Sequence, residues 1–420
     1  MDLFELAAVF LVLIAVAGWL NARFFKLPSA AVMVLGGLVG AGLLSAAVRV
    51  LPASNPASVF VRVIQALDFP KAVIGYMLAF LLFAGAMQVN LPELRRRLLA
   101  VGTLATLGVA ASTVVVGFGL WGASRALGLP LPLPFALVFG ALISPTDPIA
   151  VLAAVKQGNL SKGLEAVLQG EALFNDGVGI VVFAAALAVA TGAGDLSPLN
   201  AIASVGVQAI GGLALGWATA TVAIRAMRAI DDYGVEVSLS LALAVGVYAL
   251  AALLHLSGPI AVVTAGLLIG DCASKGVMSE VTKQHLLGFW GLVDEILNAI
   301  LFTLLGLELL VVRIDLRLAG LWACAIALVL LARILVVMPW GVFFRARHDE
   351  KGASLLLTWG GLHGALSLAM ALSVPAGPAR GFVLSTTFAV VIASVLVQGL
   401  TFGRLVGWVE RRRLAAEAGS

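Results

Sequence analysis

Two acidic residues stand inside apolar stretches of this sequence, where a carboxylate is costly. Asp176 follows Asn175, and residues 178–190 after it are almost purely hydrophobic. Asp147 lies between two prolines in residues 144–148, which read SPTDP. A charged side chain at the centre of a bilayer costs roughly 2.5 to 3.5 kcal/mol on insertion scales, so such residues usually mark functional sites. The two acids together predict a path for cations or protons through a membrane.

A carboxylate removed from water, as expected for Asp176, can hold a proton or a cation but not both favourably. Competition of that kind is the simplest physical basis for exchange. Thr146 and Asp147 offer hard oxygen ligands suited to an alkali cation, on a segment where prolines free backbone carbonyls. The alternatives are a buried acid at Asp176 that only hydrogen-bonds a neighbour, and a helix-breaking Asx turn at Asp147.

Glu171 and Arg333 are predicted to form a buried ion pair. Arg333 lies inside an apolar run and cannot lose its proton, so it needs an acidic partner. Glu171 is the intramembrane acid that remains once Asp147 and Asp176 are assigned to the ion. At helical pitch Glu171 and Asp176 are about 140° apart, so we do not expect both to contact the same ion.

Four further polar residues have weaker signals. His363 lies in a glycine-rich break and is either a proton-linked modulator or a packed histidine. Glu308, near the outer end of its apolar run, is either a second modulator or an acid that simply reaches water. Asp294 and Glu295 are expected to begin a helix on the cytoplasmic side, as a solvated face or as the lining of an entrance funnel.

The composition is that of a polytopic membrane protein. The chain has 420 residues, of which 61% are hydrophobic and 11% charged, and its mean hydropathy is +1.10. A span needs roughly 20 apolar residues, and about thirteen such runs are present. The runs are 3–21, 28–48, 71–89, 99–123, 132–155, 166–191, 199–225, 235–255, 258–271, 285–311, 318–344, 352–374 and 380–403. The predicted fold class is therefore an all-α polytopic membrane protein with about 13 transmembrane helices.

The loop charges predict the orientation. Alternate loops hold 18 Lys and Arg residues on one side and 7 on the other. The positive-inside rule places the richer side, with the C-terminus, in the cytoplasm and the N-terminus outside, in the cell inner (plasma) membrane. The net charge of +4 is spread over short loops, so we expect no nucleic-acid partner.

Two spans are interrupted in ways that break helices. Residues 144–148 contain two prolines, and residues 359–364 (WGGLHG) contain three glycines. Unwound backbone at membrane depth is tolerated only where protein or a water-filled cavity satisfies its polar groups. Paired interruptions of this kind indicate a transporter's binding site. They fall in the fifth and twelfth spans, which fits two inverted six-helix repeats after one extra N-terminal helix.

Functions of other classes have little support. A Gly-x-Gly-Asp pattern typical of intramembrane aspartyl proteases occurs at residues 192–195, but it lies in a polar loop beyond the sixth span. No P-loop or His-Glu-x-x-His motif is present, so we expect neither ATP use nor an enzyme activity, and no cofactor. A cation channel remains the alternative within transport.

The motifs resemble those of the monovalent cation/proton antiporter family 1, especially its NhaP type. The resemblance rests on residues 144–148, 171–177, 297–309, Arg333 and 358–365, in the family's order. It implies exchange of sodium or lithium for protons, with potassium as the alternative ion. It also implies an ion and proton site at Asp176, supported by Asp147, Thr146 and Asn175, with Glu171 paired to Arg333.

The resemblance further implies a membrane-embedded homodimer with crossed broken helices 5 and 12 and electroneutral exchange, which the Asn175-Asp176 order indicates. Two positions depart from the family's pattern: Ala172 stands where some members have a serine, and His363 where an arginine is common. The implied parts are dimerisation segments 1–98 and 196–284, core segments 99–195 and 311–403, a linking helix 285–310 and a basic cytoplasmic tail 404–420.

Overall fold

The computed structural model describes residues 3–50, 69–147, 161–193, 198–276, 278–308, 315–348 and 352–418. The regular elements within these ranges are helices, and the one β-type feature among the described residues is an isolated antiparallel bridge between Asp147 and Leu362. The predicted all-α class is therefore confirmed. The second half of the interrupted fifth span, from residue 148, and the end of the Gly-x-Gly-Asp pattern lie outside the described residues.

The helices follow the predicted apolar runs closely. In chain order they are α1 (Leu3–Leu20), α2 (Ser29–Val50), α3 (Leu78–Met87), α4 (Leu91–Arg96), α5 (Leu98–Thr103), α6 (Val109–Ala126), α7 (Leu133–Ile143), α8 (Lys162–Ala190), α9 (Pro198–Met227), α10 (Tyr233–Leu253), α11 (Gly258–Ser274), α12 (Glu280–Leu307), α13 (Ala319–His348), α14 (Ala353–Trp359), α15 (Ala365–Leu372), α16 (Pro378–Ala393) and α17 (Leu400–Ala418). Short π-helical turns join or precede several of them, for example Lys71–Met77 before α3 and Ser394–Gly399 before α17.

Within the described residues, seven continuous helical stretches are long and apolar enough to cross a membrane. Five shorter apolar helices lie between or beside them, among them Leu133–Ile143, which ends at the first interruption. The exact number of spans and the inverted repeat stay predictions. The C-terminal residues predicted as a basic tail continue the helix α17 as far as Ala418.

Polar residues begin several of the long helices. Ser161 accepts a hydrogen bond from the backbone N–H of Leu164 at the start of α8, over 3.2 Å. Ser279 does the same for Thr282 at the start of α12, over 3.3 Å. Such caps satisfy amides that have no partner within the helix. Because α12 begins at Glu280, the expectation that Asp294 begins a helix is wrong.

The helices pack in two groups. In one group α2 packs on α12, α11 packs on α3 and α9, and α10 joins both α11 and α12. In the other group α7 packs on α6 and α8, while α13 contacts α6, α14 and α16. The assignment of these groups to a dimerisation domain and a moving core stays a prediction.

Glycine permits the closest approach within the first group. A Cβ atom added at Gly37 of α2 would lie 2.9 Å from the Cα of Gly306 in α12, a separation that real Cβ atoms do not show. Small residues allow helix backbones to approach in this way inside membranes. The close α2–α12 contact fixes α12, which carries several of the residues that line the cavities described below.

Both predicted interruptions are present, and they meet. The helix α7 ends at Ile143, immediately before Ser144 and Pro145, as expected from the missing donor and the restricted backbone at proline. The helix α14 ends at Trp359 and α15 begins at Ala365. Between them, the backbone N–H of Asp147 donates to the carbonyl of Leu362 over 2.7 Å. The two unwound segments therefore satisfy each other's backbone groups at this point.

Candidate ion-binding site

Asp176 lies near the middle of α8, where that helix passes the two unwound segments. Its side chain is half-buried and lines a cavity of about 70 Å³. Thr146 and Asp147 from the first unwound segment line the same cavity, as does Ser367 from α15. The acids singled out from the sequence, Asp147 and Asp176, are thus brought together from positions far apart in the chain.

Asn175 ties α8 to the first unwound segment. Its Nδ2 donates to the Oγ1 of Thr146 over 2.8 Å, and its Oδ1 accepts from the backbone N–H of Thr146 over 3.3 Å. Both side chains are buried. This pairing holds the backbone beside Asp147 against the helix turn that carries Asp176, so Asn175 and Thr146 fix the relative position of the two acids.

Gly364, which the sequence did not single out by itself, has a specific role beside Asp147. A Cβ atom at this position would overlap the Asp147 carboxylate. Gly364 also has an extended backbone conformation immediately before α15. A side chain here would displace Asp147 from the cavity. The three glycines of residues 359–364 indicated the break in the helix, but the close contact with Asp147 depends on the tertiary structure.

Glu171 and Arg333 form a bidentate salt bridge. The Nη2 of Arg333 donates to the Oε2 of Glu171 over 2.9 Å, and Nη1 pairs with Oε1. Arg333 also donates from Nε and Nη2 to the carbonyl of Leu357, over 3.0 and 2.8 Å. Glu171 is 1% exposed. Both of its oxygens are engaged, so the charge of this acid is balanced away from the cavity at Asp176.

His363 lies where the two unwound segments meet. Its backbone N–H donates to the Oγ of Ser394 over 3.0 Å, and its Nδ1 is 3.1 Å from the carbonyl oxygen of Pro145. Because that carbonyl can only accept, the hydrogen bond requires a proton on Nδ1. The side chain is buried. His363 therefore connects the two segments, and its role as a modulator stays a prediction.

Glu308 does not reach water as expected. It is 3% exposed, at the C-terminal end of α12, and the residues that line the cavity at Asp176 do not include it. Its position near the end of an apolar run suggested access to solvent, but its side chain is buried. The sequence position of an acid within a span does not determine which face of the helix it occupies.

A larger cavity of about 650 Å³ adjoins the site. It is lined by polar side chains that include Gln88, Asp294, Glu295 and Asn298. Asp294 and Asn298 also line the smaller cavity at Asp176. These two residues therefore stand where the two cavities meet. Asp294 and Glu295 line this cavity from the middle of α12, which agrees with the lining of an entrance, and Glu295 is also exposed, as expected of a solvated face.

The chemistry of the smaller cavity suits a small monovalent cation. Asp147, Asp176 and Thr146 supply carboxylate, hydroxyl and carbonyl oxygens, which are the ligands that hard cations prefer. None of the described residues that line this cavity is basic. Two carboxylates close together in a poorly hydrated site cannot both stay charged without a counter-ion. A proton or a cation must therefore accompany them.

The sequence profile of the family described as sodium/hydrogen exchanger, transmembrane, matches residues 10–408. The chain belongs to this exchanger family. It is 41% identical to the Na⁺/H⁺ antiporter NhaP of Pseudomonas aeruginosa over 413 residues, which cover 96% of each chain. It is 35% identical to the Na⁺/H⁺ antiporter NhaH of Halobacillus aidingensis, covering 90% of this chain and 91% of that one.

A solved structure of the sodium proton antiporter MjNhaP1 from Methanocaldococcus jannaschii at pH 8 has the same fold as this exchanger. The TM-score is 0.71 at 19% identity, and the match covers 97% of this chain and 99% of the other. The resemblance predicted from the motifs is confirmed. The exchanger is a multi-pass membrane protein that exchanges sodium for protons, and it is not an enzyme.

Proposed function

We propose that the exchanger moves one sodium or lithium ion against one proton by competition at Asp176. The observation that carries this proposal is the different environment of the acids in the centre of the protein. Asp176 and Asp147 line a cavity whose described lining residues include no basic side chain, whereas Glu171 is neutralised by Arg333. Asp176 is therefore a carboxylate whose charge must be balanced by whatever enters from the cavity.

The other oxygen ligands come from the unwound segment. Asp147 and Thr146 line the cavity beside Asp176, and Asn175 holds Thr146 in place through two hydrogen bonds. Ala172 cannot supply a hydroxyl, so a water molecule or a backbone carbonyl completes the coordination shell. The cavity of about 70 Å³ has room for a small cation with such a water.

Electroneutral exchange follows because, in this proposal, Asp176 is the acid of the cavity that exchanges a proton, while Asp147 stays charged as an ion ligand. Asn175, beside Asp176, carries no charge, so binding one cation releases one proton. The paired charges of Glu171 and Arg333 stay constant throughout the cycle. Potassium is the alternative ion, and a channel is the alternative mechanism. A channel is disfavoured, because in this proposal the proton and the cation bind the same carboxylate in turn. In a channel, the cation would instead pass through a continuous pore.

The protein is proposed to act as a homodimer in the lipid of the plasma membrane, with its C-terminus in the cytoplasm. The larger cavity is lined in part by Leu27, Pro28 and Gln88, next to loops rich in Arg and Lys. The positive-inside rule places these loops in the cytoplasm. The conformation described here is then one in which Asp176 is approached from the cytoplasmic side.

Proton flux in proteoliposomes tests the proposal directly. The purified chain is reconstituted with a pH-sensitive dye inside the vesicles, and sodium, lithium and potassium are added in turn. We expect proton movement with sodium and lithium and a much smaller response to potassium. Vesicles with the Asp176→Asn variant are the matched control. Equal responses to all three ions would assign a less selective transporter, and flux through the variant would remove Asp176 from the mechanism.

A further inference from the structure

We propose that Asp294 and Asn298 form a second cation-binding site, at the junction between the larger cavity and the cavity of Asp176. This inference rests on the proposed function, because the ion would pass this junction site before it reaches Asp176. Both residues lie on α12, one helical turn apart, and both line both cavities. A cation moving from one cavity to the other must therefore pass beside them.

The hydrogen bond between the two side chains fixes the orientation of the amide. The Nδ2 of Asn298 donates to the Oδ1 of Asp294 over 2.9 Å. The reverse orientation would place the amide oxygen against the carboxylate oxygen, which is unfavourable. The amide oxygen of Asn298 is therefore directed away from Asp294, as a second oxygen ligand next to a carboxylate.

That amide oxygen has no partner in the described part of the chain. Asn298 is 7% exposed, and its Oδ1 is a buried acceptor without a hydrogen bond. A buried acceptor that lacks a partner is destabilising, so a cation or a water molecule that enters from the adjoining cavities would stabilise this oxygen. A monovalent cation would satisfy it, and the carboxylate of Asp294 would supply the charge.

The surroundings favour a cation over any other ligand. The described residues that line the larger cavity include two acids, Asp294 and Glu295, and no Lys, Arg or His. The same holds for the smaller cavity with its three acids. A positive ion is attracted into a cavity lined by one sign of charge. An anion or a lipid phosphate would be repelled.

The two sites lie on different helices. Asp294 and Asn298 belong to α12, which packs on α2, α3 and α10, whereas Asp176 belongs to α8, which packs mainly on α7 and also contacts α11 and α9. The junction site would hold an ion on the α12 side of the smaller cavity, across from Asp176 on α8. It raises the local sodium concentration beside Asp176, and the proton exchanged for sodium is still the one on Asp176.

Thallium(I) ions, located by anomalous scattering in crystals of the purified chain, test the junction site. We expect one peak beside Asp176 and another within coordination distance of both Asn298 Oδ1 and the Asp294 carboxylate. The Asp176→Asn variant should lose the first peak and keep the second. The double variant Asp294→Asn with Asn298→Ala should keep the peak beside Asp176 and lose the peak at the junction. A wild-type map without a peak at the junction overturns this site, whether or not Asp176 is occupied.

Transport kinetics provide the second test. Asp294→Asn and Asn298→Ala should each raise the apparent KM for sodium about threefold to tenfold, as expected when one oxygen ligand is lost, with little change in the maximal rate. Glu295→Gln is the matched control, because Glu295 is the next residue on α12 but lines the larger cavity alone. Its KM should change less than about twofold, the effect of a screened surface charge.

The double variant should have a KM close to that of whichever single variant has the higher KM, because both residues contribute to one site and their effects do not add. An equal rise in KM for Glu295→Gln would mean that general charge and not coordination attracts the ion, and would overturn the junction site. If the wild-type protein shows no sodium-driven proton flux, the proposed function itself is overturned.

Discussion

The Asn175 side chain joins a continuous helix to Thr146 of an unwound segment: it donates to the Thr146 hydroxyl over 2.8 Å and accepts from the Thr146 backbone N–H over 3.3 Å. Asn175 precedes Asp176 and Thr146 precedes Asp147, so the pair sets the spacing of the two acids that line the cavity. The neutral residue that precedes each acid, Asn175 or Thr146, therefore helps to position it.

Removal of this contact should weaken sodium binding. Asn175→Ala leaves the Thr146 N–H and hydroxyl without partners, so we expect a loss of about 1 to 3 kcal/mol in stability and a higher apparent KM for sodium. Thr146→Val keeps the volume and the backbone hydrogen bond, and its effects should be smaller. Thermal melting in detergent and sodium-dependent flux measure both quantities. Unchanged KM values in both variants would show that the contact does not position the site.

Asp176→Asn should abolish exchange while the protein stays folded in the membrane. Asparagine preserves the volume and removes the group for which proton and cation compete. The measurements are proton flux in proteoliposomes and gel filtration of the purified variant. Its melting temperature should equal or exceed that of the wild type, because a desolvated carboxylate has been removed. Strong sodium-driven flux through the folded variant would contradict the assignment of Asp176.

Turnover should not depend on membrane potential. One sodium replaces one proton at Asp176, and the charges of Glu171 and Arg333 cancel in their salt bridge. The test is to clamp the potential with potassium and valinomycin and to measure sodium-driven proton flux on both sides of zero. A clear acceleration with one sign of potential would mean that net charge moves. Asn175→Asp need not create such a dependence, because Glu171 and Arg333 also set the local charge.

The apparent KM for sodium should rise as the pH falls. Below the pKa of the site, each unit by which the pH falls lowers the fraction of Asp176 without a proton about tenfold. The KM for sodium should therefore rise roughly tenfold per unit, while the maximal rate changes little. Flux measured over a grid of sodium concentrations and pH values gives both parameters. A constant KM with a collapsing maximal rate would instead indicate a separate pH sensor, and His363 would be the first residue to replace.

The salt bridge between Glu171 and Arg333 should support stability and not ion binding. Glu171→Gln or Arg333→Ala leaves one buried charge without its partner, which typically costs about 3 to 5 kcal/mol. Both single variants should melt at lower temperature and express poorly. The double variant should recover part of that loss, because the two residues are in direct contact. Additive losses in detergent melting curves would mean that Arg333 is held mainly by other groups, such as the Leu357 carbonyl.

The residues of the site could be predicted from the sequence because charged residues are rare in membrane-spanning segments. Asp147, Glu171, Asp176 and Arg333 stood out since each costs free energy in an apolar span. The breaks at residues 144–148 and 359–364 were predictable for a similar reason, because proline and repeated glycine destabilise a helix wherever they occur. The all-α class followed from composition alone.

The tertiary structure decided which residues face one another. Asp294 and Asn298 could not be recognised as cavity residues, because a single polar turn in α12 looks the same whether it faces lipid, solvent or a cavity. The contact of Gly364 with Asp147 likewise depends on segments distant in the chain. The sequence by itself determined the residue types, the membrane spans and the positions of the breaks, since these follow from local chemistry. Only the packing of the two helix groups determined the cavities, because a cavity is formed by surfaces that no single segment contains.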